Sequence, residues 1–92
     1  MRDYTRFMKW AVVSFIDRST QDDRRSKLNV EALFSSPVQA EDNYIIRNPE
    51  IKRYIIHIND LERFEEFYNA WQDGEDLNSF ADCEKFKNIL KI

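Results

Sequence analysis

The stretch Trp10-Ala11-Val12-Val13-Ser14-Phe15-Ile16 decides how this chain is read, because it satisfies two periodicities at once. Tyr4, Phe7, Met8, Ala11, Val12, Phe15 and Ile16 recur at helical spacing and predict an amphipathic helix from about Asp3 to Arg18, with Asp3 as its cap. The same residues are rich in β-branched and aromatic side chains, so a strand from Met8 to Asp17 competes. The helical pattern reaches back through Tyr4 and Phe7, and that extension favours the helix.

Downstream, Leu28, Val30, Ala32 and Phe34 alternate with Asn29, Glu31 and Leu33, as a half-buried strand requires. Pro37 ends that ladder, and residues 35–42 read as a loop. Tyr44–Arg47 and Ile51–Ile58 read as two further strands, joined into a hairpin by the turn residues Asn48-Pro49-Glu50. Asn59-Asp60-Leu61-Glu62 has the form of a capping box for a second helix. Leu61, Phe64, Phe67, Tyr68 and Trp71 give that helix one apolar face, and Gly74 stands where a left-handed terminator is wanted. A last helix runs from Asn78 or Ser79 to Lys91, with Phe80, Cys83, Phe86, Ile89 and Leu90 inward. The expectation is one α+β domain over residues 1–92. It contains a three-stranded antiparallel sheet with helices on one face, in the order α-β-β-β-α-α.

The composition excludes several chemistries. One Gly among 92 residues rules out glycine-rich phosphate loops, and one Cys with one His cannot build a Cys/His zinc site or an internal disulfide. No cofactor is called for. His57 is the only side chain suited to acid–base work near neutrality, with Glu31 its nearest carboxylate, while Cys83 falls on an apolar helix face. Neither forms a catalytic constellation, so a non-enzymatic protein is expected. The apolar runs are too short for a bilayer, and the lone thiol suits a reducing compartment, which points to the cytoplasm of a bacterial or infected host cell.

Charge is unevenly divided. Residues 1–57 carry ten Lys/Arg against eight Asp/Glu, a balance of +2, and residues 58–92 carry four against nine, a balance of −5. An acidic chain argues against generic nucleic-acid binding and in favour of a protein partner with a basic surface. Glu65, Glu66, Asp73, Glu75 and Asp76 are the candidate partner-binding residues. The alternative is a nucleic-acid-binding segment through Arg18, Arg24, Arg25 and Lys27. A third class is a homo-oligomer. Leu33, Ile45 and Ile55 fall on the outer face of the expected sheet, where either the last helix covers them or a partner or second copy does.

Two resemblances extend this reading. Residues 3–73 resemble a double-stranded-RNA-binding domain in element order. That family reads phosphates with a Lys-rich start to its last helix, and the matching segment here, Asn59 to Glu66, is acidic. Residues 44–90 resemble small phage-encoded Cas9 inhibitors, the anti-CRISPR proteins. The likeness lies in Tyr44-Ile45-Ile46-Arg47, a turn, Tyr54-Ile55-Ile56, the helix from Glu62 to Trp71, and an acidic link to a short last helix. The resemblance implies a phage or mobile-element inhibitor that occupies the DNA site of its target. Asp73, Glu75 and Asp76 would then be phosphate-mimicking carboxylates.

Overall fold

The computed structural model describes residues 8–16 and 26–92. The protein is α+β, with a three-stranded antiparallel sheet and three helices. Strand β1 is Trp10–Ile16, β2 is Lys27–Phe34 and β3 is Tyr54–His57, arranged in the order β2-β1-β3. Helix α1 is Pro37–Ala40, α2 is Leu61–Gln72 and α3 is Cys83–Leu90.

Two segments fill this class differently from the expectation. Residues 10–16 form the central strand, paired with β2 from Trp10↔Phe34 to Ile16↔Lys27 and with β3 from Trp10↔His57 to Val13↔Tyr54. The reason is burial on both faces: Ala11, Val12 and Val13 are all fully buried. A strand covered on both sides carries a continuous apolar run, and such a run fits helical spacing as readily as strand spacing. The part of the expected helix over residues 1–7 lies outside the described residues, as do Asp17 and Arg18.

Tyr44–Arg47 forms no strand: Tyr44 and Ile45 close a helical segment, and Ile46 and Arg47 form the turn after it. Pro37 occupies the first turn of α1, and the Ser36 side chain accepts the Gln39 N–H at 3.2 Å, so the segment expected as a loop starts a helix. The helix continues as a π-helical turn over Glu41–Ile45, closed by the Ile46 N–H to the Glu41 carbonyl at 3.1 Å. It crosses the sheet from β2 to β3, so no hairpin forms at Asn48-Pro49-Glu50. Helices therefore cover both faces of the sheet, since Ala40 on α1 and Val12 beneath it are fully buried.

On the opposite face, Ala11, Val13, Tyr54 and Ile56 meet Phe64 and Phe67 of α2 and Phe86 and Leu90 of α3. Phe64 and Phe67 both stand edge-on to Phe86, with centroids 5.3 and 5.4 Å apart, and Phe15 stacks on Tyr68 at 3.7 Å. Edge-to-face pairs add about 0.5–1.5 kcal/mol each beyond their buried area. Helix α2 ends in a Schellman motif: Gly74, at φ +73, donates to the Trp71 carbonyl, and Glu75 donates to that of Ala70. Its start departs from the expected capping box. A 3-10 turn over Ile58–Asp60 precedes it, the Asn59 N–H donates to His57 Nδ1 at 3.1 Å, and Asp60 stands at the cap position without capping. Helix α3 begins at Cys83, later than expected, because Leu77–Ser79 forms a separate 3-10 turn.

Candidate partner-binding surfaces

The carboxylates of this protein divide into those with internal partners and those without. Asp60, with its side chain 7% exposed, accepts from Lys85 Nζ at 2.5 Å and pairs with Arg63, which also meets Asp82 at 2.9 Å. Burial alone would raise the Asp60 carboxyl, but the hydrogen bond and charge of Lys85, with those of Arg63, hold it below the usual range. This cluster ties the start of α2 to α3.

Glu31 is the second internal carboxylate. A register shift between Val12 and Val13 marks a bulge in the β1–β2 ladder, and the Glu31 side chain lies on the sheet face beneath α1 and its π-helical extension. Its Oε1 accepts from the Tyr44 hydroxyl and from Arg53 Nε, both at 2.8 Å. Its Oε2 is buried without hydrogen-bond geometry to any described group. Burial pushes the carboxyl up, and the Ser14 hydroxyl, the bonds from Arg53 and Tyr44, and the Arg53 charge outweigh it and hold it low. The same contact raises Tyr44 and Arg53. Arg53 also donates to the Asn48 carbonyl at 2.5 Å, so the cluster links β2, the helical crossover and the entry to β3.

Glu65, expected to face a partner, is used inside the molecule instead. Its Oε2 accepts the Leu28 N–H at 2.9 Å. One turn on, Asn69 Oδ1 accepts the Ser26 N–H at 2.7 Å and Asn69 Nδ2 donates to the Ser26 carbonyl at 2.9 Å. Together Glu65 and Asn69 occupy the outward backbone groups at the start of β2, as a neighbouring strand would. Asn69 was missed in the sequence reading, although a polar side chain beside the apolar face of a helix was the available signal.

The other four candidates remain exposed: Glu66, Asp73, Glu75 and Asp76. Glu62, Glu66 and Asp73 fall within about 40° of one another around α2, directed away from its buried face. Glu75 and Asp76 follow directly. No described residue forms an ion pair with any of these five, although Asp76 accepts the Asn78 N–H at 3.0 Å. Glu62 is thus exposed beside the four remaining candidates.

The remaining candidates are dispersed. Arg18, Arg24 and Arg25 lie outside the described residues, and Lys27 is exposed at the start of β2. Over residues 10–73 the elements run β-β-α-β-α, so the part described does not reproduce the order on which the RNA-binding resemblance rested. Leu33 packs against the main core, whereas Ile45 and Ile55 line a groove at the β3 edge of the sheet. His57 accepts from the Asn59 N–H and meets the Trp10 ring edge-on at 5.2 Å, and Cys83 is buried. Among the described residues, no group of three His, Cys, Asp or Glu side chains is placed to hold a metal ion, and no helix is long and apolar enough to cross a membrane. No protein-family model, curated protein or solved structure matches the chain.

Proposed function

We propose that this protein is a small non-catalytic regulator or inhibitor that acts by laying an acidic surface on a basic site of a partner protein. The observation that supports it is the division of the carboxylates. Asp60, Glu31 and Glu65 satisfy internal donors, while Glu62, Glu66, Asp73, Glu75 and Asp76 are exposed and form no ion pair with any described residue. Along α2 the first three span about 16 Å at 1.5 Å per residue. Exposed carboxylates at this density attract a basic surface and accelerate encounter with it.

The most concrete form of the proposal follows the resemblance to phage-encoded Cas9 inhibitors. In that form the partner is a Cas9-type effector, and Asp73, Glu75 and Asp76 take the place of target-DNA phosphates. A DNA-cleavage assay with such an effector tests this version. Inhibition that disappears on reversing Glu75 and Asp76 to lysine supports it, and undiminished cleavage at saturating protein removes it. The general proposal is tested by affinity capture at low salt with the wild type and the same reversal variant. A protein retained by the first, lost with the second and released by salt supports the acidic rim. Equal retention by both contradicts it. A gel-shift titration with duplex DNA and RNA checks the alternative through Arg18, Arg24, Arg25 and Lys27, which requires retardation that falls steeply with salt.

A further inference from the structure

The two outer strands of the sheet differ in what meets their free edges. β2 is closed at its start by Glu65 and Asn69. On β3 the Ile58 N–H bonds to the Lys9 carbonyl, which fixes the alternation: Ile56 and Tyr54 face β1, and the N–H and carbonyl groups of Ile55 and His57 face outward. No described group outside the sheet forms a backbone bond to Ile55 or His57.

That outward edge runs beside a groove. Two adjoining hollows of about 250 and 270 Å³ share Ile45, Arg53, Tyr54, Ile89 and Lys91, so they lie together along the β3 edge, between the π-helical turn on one face of the sheet and α3 on the other. The aliphatic lining is Ile45, Ile51, Ile55 and Ile89, contributed by the π-helical turn, the loop before β3, β3 itself and α3. Ile51 is 52% exposed, an apolar side chain open to water at the groove mouth. Lys52 and Lys91 border the same space and form no ion pair with a described residue, whereas Arg53 is held by Glu31.

We infer that the free edge of β3 is a docking site for an extended segment of a partner protein carrying alternating aliphatic side chains and flanking carboxylates. The segment joins the sheet as a fourth strand, with main-chain bonds to Ile55 and His57. Its aliphatic side chains enter the hollow between Ile45 and Ile89, and its carboxylates meet Lys52 and Lys91. Charge points to this occupant: Lys52 and Lys91 have no acidic partner among the described residues, while Glu41 is the one carboxylate lining the second hollow, so a segment carrying carboxylates at its ends is matched. A second copy of the chain is an outcome the test separates. This site is separate from the acidic rim of α2, which lies on the β2 side of the molecule.

The test is selection of a displayed random-peptide library on the intact protein, followed by titration of a selected peptide into nitrogen-15-labelled protein. The expected peptides alternate aliphatic residues and carry carboxylates at one or both ends. On titration the Ile55 and His57 amides shift and become protected from exchange, while Leu28 does not change. Ile55→Pro removes an outward donor without touching the β1 ladder, and lowers affinity by about tenfold or more. Because Ile55→Pro also trims the groove lining, Lys52→Glu with Lys91→Glu is the second variant. It weakens binding by about tenfold at low salt, and by less as salt rises. Glu75→Lys with Asp76→Lys leaves peptide affinity unchanged, which separates this site from the acidic rim. Failure to select any binder, or peptides that shift α2 instead of Ile55 and His57, overturns the inference. So does a free protein that dimerises with those two amides already protected, because the occupant is then a second copy.

Discussion

The two edges of this sheet meet the same physical problem with different means. An outer strand presents unpaired N–H and carbonyl groups that recruit other chains unless they are covered. At β2, side chains from α2 replace the missing strand: Asn69 takes both backbone groups of Ser26 and Glu65 takes the Leu28 N–H. At β3 the outward groups of Ile55 and His57 face a groove bordered by aliphatic and lysine side chains. One edge is spent on stability and the other is left for recognition. The difference also shows that a carboxylate on an acidic helix cannot be assigned to a partner by charge alone.

The largest effect is expected where the closed edge is opened. Asn69→Leu removes the Asn69 bonds to the buried Ser26 N–H and carbonyl, at about 1–3 kcal/mol for each group left unsatisfied. Urea unfolding should show a loss of about 2–4 kcal/mol, and an unchanged midpoint would mean that the β2 edge is closed by something else. Next comes acid. Glu31 and Asp60 both titrate below their ordinary values in the folded state, so the unfolded chain takes up protons first. Their stabilisation is complete above about pH 4.3 and is lost as pH falls through the lower folded values. Glu31→Gln should flatten that acid limb and raise amide exchange at β3 more than at β2, because Arg53 then keeps only its longer, exposed pairing with Glu50 beside the open edge. A smaller loss of about 1 kcal/mol is expected for Glu65→Ala, and less for Glu65→Gln, which keeps an acceptor for the Leu28 N–H. The smallest is Glu75→Lys with Asp76→Lys, within about 0.5 kcal/mol of wild type, since both are exposed and neither pairs with a described residue.

How much of this could be seen in the amino acids depended on how many faces each element buries. α2 was legible because one face is buried and the other exposed, which leaves a clear period, and Gly74 ended it as its residue type required. β1 was ambiguous because helices on both sides of the sheet leave no polar alternation in Ala11-Val12-Val13. Tyr44-Ile45-Ile46 has strand-like composition, yet the Pro37 start upstream carries it into a helix whose Tyr44 hydroxyl reaches Glu31, a tertiary contact with no local signature. Of the acidic candidates, Glu66, Asp73, Glu75 and Asp76 were placed on the surface as expected, and Glu65 was not. The bond that withdraws it links positions 37 residues apart. Leu33, Ile45 and Ile55 were expected on one outer sheet face, but Ile45 belongs to a helix rather than a strand and Leu33 packs against the core, so only Ile45 and Ile55 share a groove.

Residue-resolved hydrogen exchange on the free protein tests the central comparison most directly. Ser26 and Leu28 should exchange slowly, close to the rate set by global unfolding, because Asn69 and Glu65 hold their amides. Ile55 and His57 should exchange much faster than Ile56, whose amide is bonded to β1. Equal, slow exchange at Ile55, His57, Ser26 and Leu28 would contradict the account, since it would mean that both edges of the sheet are already closed.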